Sequence, residues 1–492
     1  MTRSGSLFLG FDVGTQSTKA LVVDATRCCV VARASHAHAM VQGLPQGHQE
    51  QDPQQWLDAI VQTARTVLAQ VDGQRIAGIG VSGQQHGCVV LDQEGGVVRP
   101  AKLWCDTATA SEARELSAAI GSPVPTGFTA SKLLWLARHE PANWVRVRSV
   151  LLPHDFVNRW LTGESSMEFG DASGTGFFSA TSRTFDPVAM AAIDARLPAM
   201  LPPLRAPGTF AGRLTAAAAA ALGLPPGVPV STGGGDNMMS AIGSGATAAG
   251  VVVTSLGTSG TIFTRTESPV IDPHGLIAPF CSSDGAWLPL LCVMNLTGVT
   301  EEVKALTGLG HDALTAAAAA VPAGSSGLTW LPFLLGERVP NLPEATGSLL
   351  GLRPGLLRPG LLYRAALEGT ALNLGAGLDR LRGLGLLVDE VRLTGGAAQN
   401  VLWRQILADV FAVPVRVLLE PESAALGAAL QAMWAVARAA GEPDRTIDAI
   451  ASPFVRLGDL VRPQPRLAPL HQALRLRFAE QLERLHPGAG SG

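Results

Sequence analysis

The stretch Phe8–Val23, FLGFDVGTQSTKALVV, decides how the chain folds. Apolar residues recur with the two-residue period of a strand. Leu7, Leu9, Phe11 and Val13 share one face, while Phe8, Gly10, Asp12 and Gly14 share the other. Asp12 therefore sits between two glycines, on a face that something can approach closely. Lys19–Val23 reads as the returning strand, which leaves Gly14–Thr18 as a hairpin loop of glycine and hydroxyl residues. Roughly half a chain later Val251–Phe263, VVVTSLGTSGTIF, repeats the pattern around Gly257, Thr258, Ser259 and Gly260. Two such hairpins predict two similarly built halves facing each other.

Length and composition agree. A chain of 492 residues is too long for one compact core, and two domains are expected, 1–245 and 246–486. Hydrophobic residues at 47% and charged residues at 16% exclude a disordered chain. A formal net charge of −3 argues against a protein that mainly neutralises nucleic-acid phosphates. The six cysteines form no CxxC pair and fit a reducing, cytoplasmic compartment. The uncharged runs Leu214–Gly235 and Met239–Thr264 are interrupted by glycines, and the first also by Pro225, Pro226 and Pro229, so neither is expected to span a membrane. The apolar run near the N-terminus, interrupted by Asp12, is too short for a signal-peptide core.

Between and beyond the hairpins, strands alternate with helices, which predicts an α/β protein. Expected helices are Asp52–Gln70, Thr215–Leu222, Asp236–Ala248, Leu361–Arg382, Ala424–Ala439 and Leu470–Leu485, the last followed by a fraying Gly-Ser tail. Expected strands include Ile76–Val81, Cys88–Asp92, Val228–Ser231 and Glu390–Thr394.

Ser231–Ser240, STGGGDNMMS, places one carboxylate after three glycines in a nearly uncharged region. Asp236 there is either a helix cap or a proton acceptor. The two hydroxyl-rich loops, with Gly14 and Thr15 in one and Gly257 and Thr258 in the other, offer N–H groups to phosphate oxygens. Asp12 would stand close enough to hold Mg²⁺. No GxxxxGK[ST] sequence is present, which excludes a P-loop NTPase.

The motifs taken together resemble the FGGY family of carbohydrate kinases. GFTASKLLWLARH (Gly127–His139) and GSLLGLRPGLLRPGLLYRAALEG (Gly347–Gly369) carry two family patterns. The Asp12 loop, GGGDN, SLGTSG (Ser255–Gly260) and LTGGAAQN (Leu393–Asn400) complete an ordered set along nearly the whole chain. The resemblance implies two actin-like, ribonuclease H-like ATPase domains flanking a central cleft. It also implies ATP and Mg²⁺ as cofactors, with Asp12 as a catalytic and metal-binding residue.

GQQHG (Gly83–Gly87), LW-x-D (Leu103, Trp104, Asp106), GDASGTG (Gly170–Gly176) and LPFLLGERVP (Leu331–Pro340) are most similar to the branch that phosphorylates D-xylulose at its 5-hydroxyl. Gln85 and Cys105 depart from the Met and Asn common there. Asp236 is implied as general base. Gln85, His86, Trp104, Asp106, Asp236 and Asn237 are implied as sugar contacts, and Gly395, Gly396 and Asn400 as the adenosine contact. A homodimer is the one protein partner in view. The alternatives are a kinase for ribulose, glycerol, gluconate or fuculose, and an ATP-driven sugar sensor. Lys132 reads as an exposed helix lysine, Glu368 as a helix-surface or hinge residue, and Glu337 with Arg338 as a charged pair ordering the cleft.

Overall fold

The computed structural model describes residues 6–489. The fraying tail expected at the C-terminus lies mostly outside them. The first sheet is built on β1 (Leu7–Val13), β2 (Ser17–Asp24), β3 (Cys29–Ala37), β4 (Ile76–Gly83) and β5 (Pro229–Ser231). Its order is β5-β4-β1-β2-β3, with β1 antiparallel to β2, β2 antiparallel to β3, and β1 and β5 both parallel to β4.

The second sheet uses β6 (Gly250–Leu256), β7 (Gly260–Thr264), β8 (Trp287–Val293), β9 (Val388–Thr394) and β10 (Val415–Val417). Its order, β10-β9-β6-β7-β8, repeats the same directions strand for strand. The repeat legible in the two hairpins is thus a repeat of whole sheets.

The faces of β1 divide as alternation requires. Leu7, Leu9, Phe11 and Val13 join a core with Trp56, Leu57, Ile60, Ala64 and Val67 of helix α1 (Pro53–Leu68). Asp52 caps α1 by accepting from the Gln54 N–H at 3.0 Å, as Asp-Pro at a helix start predicts. Phe8 faces a different core, formed with the alanine-rich helix near the C-terminus. Three further helices position the site: α2 (Thr129–His139), α3 (Asp236–Gly243) and α4 (Pro359–Gly383). The alanine-rich helix is α5 (Ser423–Ala439), and it is apolar on every side because it is enclosed on every side.

The partner that approaches the glycine face of β1 is α5. A Cβ on Gly10 would lie 2.1 Å from the Ala425 carbonyl oxygen, and one on Gly80 only 1.9 Å from that of Ala428. Gly243 meets Ser423 O at 1.9 Å in the same way, and Gly427 of α5 itself meets Met239 O at 1.8 Å. Glycines from both sides let the backbones touch. That contact also shortens the helix expected over Asp236–Ala248. It stops at Gly243, and Gly245 turns away with φ +71°. Among the described residues, no helix is long and apolar enough to cross a membrane.

Candidate active site

Gly234 and Gly235 pair with Ser82 and Gly83 at the end of β4, so the two chains leave the sheet side by side. One delivers Asp236 and Asn237, the other Gln84, Gln85 and His86. Gly235 occupies the capping position of α3 and Asp236 is the first helical residue. This corrects the cap reading: Asp236 Oδ1 accepts from its neighbour's N–H at 2.8 Å and caps no later turn. Asn237 Nδ2 donates to Gln85 Oε1 at 2.9 Å, joining the two chains across the gap. Burial, reinforced by the negative charges of Asp12 and Asp171, pushes Asp236 up to about 7. Asp236 is therefore poised to exchange a proton near neutral pH.

His86 adopts φ +65°, which is costly for a residue with a side chain. Three contacts hold it. Lys132 Nζ donates to the His86 carbonyl at 2.5 Å, Thr129 Oγ1 donates to the same oxygen at 3.2 Å, and Nδ1 pairs with Gly174 O at 2.8 Å. The ring also stacks on Phe128 with 4.4 Å between centroids. Burial keeps the imidazole neutral, at about 3. With Nδ1–H committed to Gly174, Nε2 is left as an acceptor.

Lys132 corrects the expectation of an exposed lysine. It is buried on α2, and its second donor reaches Gly127 O at 2.5 Å. Burial lowers it to about 7.

Asp12 stands one strand further along the same sheet, across Ser82 from the Gly234–Gly235 pair. Its Oδ1 accepts from Ser82 Oγ at 2.8 Å and its Oδ2 has no protein donor among the described residues. It lies across β1–β2 from Lys19, which bonds Glu422 at 2.6 Å. Burial raises Asp12. Buried Asp12 and half-buried Asp236, acting on each other, offer the carboxylate oxygens a magnesium ion suits. Lys19 drew no notice in the sequence, although its cross-strand register with Asp12 was available there.

The two hairpin loops are built alike. Gly14 N–H donates to Ser17 O and Gly257 N–H to Ser259 O, both at 3.1 Å. Each bond tightens the turn and leaves N–H groups at the tip, those of Thr15 and Gln16 in one and of Thr258 in the other, free for phosphate oxygens. The Thr15 hydroxyl is occupied otherwise. It accepts from Trp104 Nε1 at 2.9 Å and donates to Gln84 Oε1 at 3.1 Å. Trp104 is thereby fixed to the loop, with its ring half-buried beside Cys105.

Asp106 is corrected as a sugar contact. It is fully buried, and its oxygens accept from Lys102 Nζ, the Gln49 N–H and the Ala108 N–H at 2.9, 2.9 and 3.1 Å. His48, Glu50 and Asp106 also lie close enough to suggest a metal site. The Lys102 ammonium already fills the centre, 3.1 Å from Glu50 and 3.2 Å from His48, with the Trp135 ring 4.0 Å away.

Behind the Gly233–Gly235 turn lies a charged network that the sequence reading missed. His154 contacts Asp171 at 2.6 Å and Asp155 at 3.0 Å, all three fully buried. The two carboxylates raise His154 well above its usual value against the effect of burial, so it is the network's cation. Glu168 accepts from Gly170 N–H and Ser283 Oγ, both at 2.9 Å. A Cβ on Gly235 would touch Gln85 and Asp171 at 2.7 and 3.0 Å, which places Asp171 against the sugar-side glutamine.

On the second half, Gly395 has φ +88° and no room for a side chain against Leu256 O, whereas Gly396 faces open space that a purine could occupy. Asn400 caps the following helix through Trp403 N–H at 3.0 Å and donates to Thr315 Oγ1 at 2.9 Å. Glu337 and Arg338 are not a pair. Glu337 is buried and accepts from the N–H of Met294 and Arg338, at 2.6 and 2.8 Å, while Arg338 is exposed. Glu368 is neither surface nor hinge. It is buried, accepting from Arg364 Nε, Ser325 Oγ and Gly324 N–H at 2.8, 2.8 and 3.0 Å.

The FGGY family of carbohydrate kinases matches by its N-terminal domain at residues 7–243 and by its C-terminal domain at residues 252–436. A xylulose kinase of Haemophilus influenzae is 38% identical over 500 residues, covering 98% of this chain and all of that one. Solved structures of a xyloylose kinase from Brucella ovis and a xylulose kinase from Rhodospirillum rubrum superpose with TM-scores of 0.90 and 0.87. Each is 30% identical to this chain and covers 98% of it, and this chain covers 99% of each.

Proposed function

The chain belongs to the FGGY family of carbohydrate kinases, and on that premise we propose that it phosphorylates D-xylulose at the 5-hydroxyl, using ATP. The observation that carries the reading is Asp236. It is a half-buried carboxylate raised to about 7, joined through Asn237 to Gln85 and carried by the same sheet as Asp12 and the first phosphate hairpin.

In this reading the ketose lies against Gln85, His86 Nε2 and Asn237, with the Trp104 ring as a wall for its C–H face. Asp236 accepts the 5-hydroxyl proton as the sugar oxygen bonds to the γ-phosphorus. The bond from that phosphorus to the β–γ bridging oxygen breaks, and ADP leaves. The loop N–H groups hold the phosphates. Asp12 would hold Mg²⁺, whose charge offsets that of the β- and γ-phosphates. Gly396 gives the purine a bare backbone to lie on, and Asn400 shapes that turn. We place the domain division at 245/246, with α5 packed against the first sheet. Six free thiols and no membrane-length helix among the described residues support a cytoplasmic location.

The test is Asp236→Asn. Ketose phosphorylation should fall by about 10²–10⁴-fold while the KM for ATP stays within about twofold. Wild-type turnover in the variant would sink the general-base role. A panel of ketopentoses, glycerol and gluconate with a coupled ADP readout tests the substrate, and no turnover on D-xylulose would refute that assignment.

A further inference from the structure

Arg338 is a charged residue of the second half that this mechanism leaves unused. Its loop is anchored with care. Glu337 takes the Met294 N–H at 2.6 Å, the Arg338 N–H at 2.8 Å and Asn295 Nδ2 at 3.2 Å, and Asn373 Nδ2 approaches at 3.3 Å. Asn295 returns two more bonds to that loop, donating to Gly336 O at 2.5 Å and accepting from the Leu335 N–H at 3.1 Å.

The 294–297 segment is bonded in turn to the second phosphate hairpin. Leu296 N–H donates to Thr258 O at 3.0 Å and Thr297 N–H to Gly257 O at 3.1 Å. A buried carboxylate therefore ties the backbone of Arg338 to the loop that grips phosphate.

The guanidinium has no carboxylate partner among the described residues and is exposed. It reaches the Cys292 thiol on β8, beside the β7 end of that hairpin. It also lies near enough to the sugar-side wall for its charge to act there. Burial first, then Lys132 and Arg338, disfavour protonation of His86, and the same guanidinium acts on the Cys105 thiol. An arginine without a carboxylate partner among the described residues thus stands beside the hairpin that would hold the γ-phosphate, within reach of the field at the residues that would hold the sugar.

We infer that Arg338 is a catalytic residue that binds the phosphoryl group in transit and the phosphate of the sugar product. This rests on the kinase reading above. During transfer the negative charge on the equatorial phosphoryl oxygens needs a donor on the sugar side. A guanidinium presents paired N–H groups to two such oxygens. The unphosphorylated ketose offers it no anion, so its contribution is made in the transition state and the product complex rather than on sugar binding.

Arg338→Ala and Arg338→Lys test the assignment. In Arg338→Ala, kcat should fall by about 10²–10³-fold, with the KM for D-xylulose within about threefold. Calorimetric affinity for D-xylulose 5-phosphate should weaken at least about tenfold, while that for D-xylulose holds. Arg338→Lys, which keeps the charge without the fork, should recover part of both losses. Equal weakening for sugar and sugar phosphate, or unchanged values for both, overturns the inference.

A second readout separates it from the substrate reading. The slow transfer of the γ-phosphoryl group from ATP to water, measured without sugar, should also fall in Arg338→Ala. A wild type that ignores D-xylulose while this hydrolysis drops in the variant refutes the ketose and keeps the arginine. Unchanged hydrolysis refutes the arginine.

Discussion

The proton on Asp236 gives the most direct access to the mechanism. A carboxylate at about 7 is half ionised at that pH, and only about a tenth is ionised one unit lower. Because the ionised form must receive the hydroxyl proton, kcat/KM for the sugar at saturating MgATP should fall about fivefold from pH 7 to pH 6 and almost tenfold per unit below that. Between pH 6 and 8 it should rise about tenfold and level off. The sign for Asp171→Asn follows from charge. Burial is the main cause of the raised value, but the Asp12 and Asp171 carboxylates also oppose ionisation of Asp236. Removing the Asp171 charge eases ionisation, and the rising limb should move to lower pH.

His86 and Lys132 do not reproduce this limb. His86, at about 3, stays neutral throughout. Lys132, at about 7, loses its proton in the same range, but a neutral amine keeps two N–H groups for the carbonyls of His86 and Gly127. The assay is initial rate against sugar concentration at half-unit intervals from pH 5.5 to 8.5, with Asp236→Asn as the control that should lack the limb. A flat wild-type profile refutes the proton-acceptor argument. A limb that stays in place in Asp171→Asn refutes the electrostatic part of it.

Gly80→Ala should destabilise the protein by about 1–3 kcal/mol or more in urea unfolding, since its Cβ would stand 1.9 Å from Ala428 O; unchanged stability would mean that α5 is not seated there. Lys102→Met leaves Glu50 and Asp106 buried without the ammonium between them, and should cost about 3–5 kcal/mol in thermal or denaturant unfolding. A smaller loss would show that Arg99, 2.8 Å from Glu50, is a sufficient counter-ion. Lys132→Met leaves the His86 carbonyl held by Thr129 alone and should raise the KM for sugar about tenfold, the equivalent of about 1.4 kcal/mol, without moving that for ATP. Equal changes in both would assign Lys132 to general stability.

What could be read in advance was whatever repeats or alternates. The strand period placed Asp12 and its glycines, the second hairpin announced the second sheet, and Asp52-Pro53 marked the start of α1. What escaped depends on partners without a signature. Lys132 is followed by Leu133 and Leu134 on an amphipathic helix, which hinted at burial, yet its acceptors are backbone carbonyls that any residue supplies. Lys102 and Asp106 stand four apart, a spacing that suits an ion pair, but Glu50 and His48 join them only through the fold. Asp106 looked free because a carboxylate beside Trp104 and Cys105 carries no mark of being already bonded. The all-round apolar character of α5 signalled a fully buried helix, but not which sheet would bury it.

That placement bears on how the cleft can close. Glu422, at the start of α5, bonds Lys19 of the first hairpin at 2.6 Å. Further along, Gln431 accepts from Ser231 Oγ and the Gly233 N–H, both at 2.9 Å, and donates to Gly233 O at 3.0 Å. One helix from the second half of the sequence thus braces both the first phosphate loop and the turn that presents Asp236. With its glycine contacts to β1, β4 and α3 it must travel with the first sheet. Relative movement of the two sheets then falls on the segments that cross between them, 244–249 after α3 and 418–422 before α5. A third crossing follows Phe454, which packs with α5, at Leu457, which bridges back to Leu418. Gly245 within the first of these and Gly250 immediately after it both have positive φ. Such a hinge carries the Gly257–Gly260 loop and Arg338 toward Asp236 while leaving Asp12, Gln85, His86 and Asp236 in fixed register. In the proposed reaction the acceptor side and the first phosphate hairpin would therefore be assembled before closure, and the second phosphate hairpin would arrive with it.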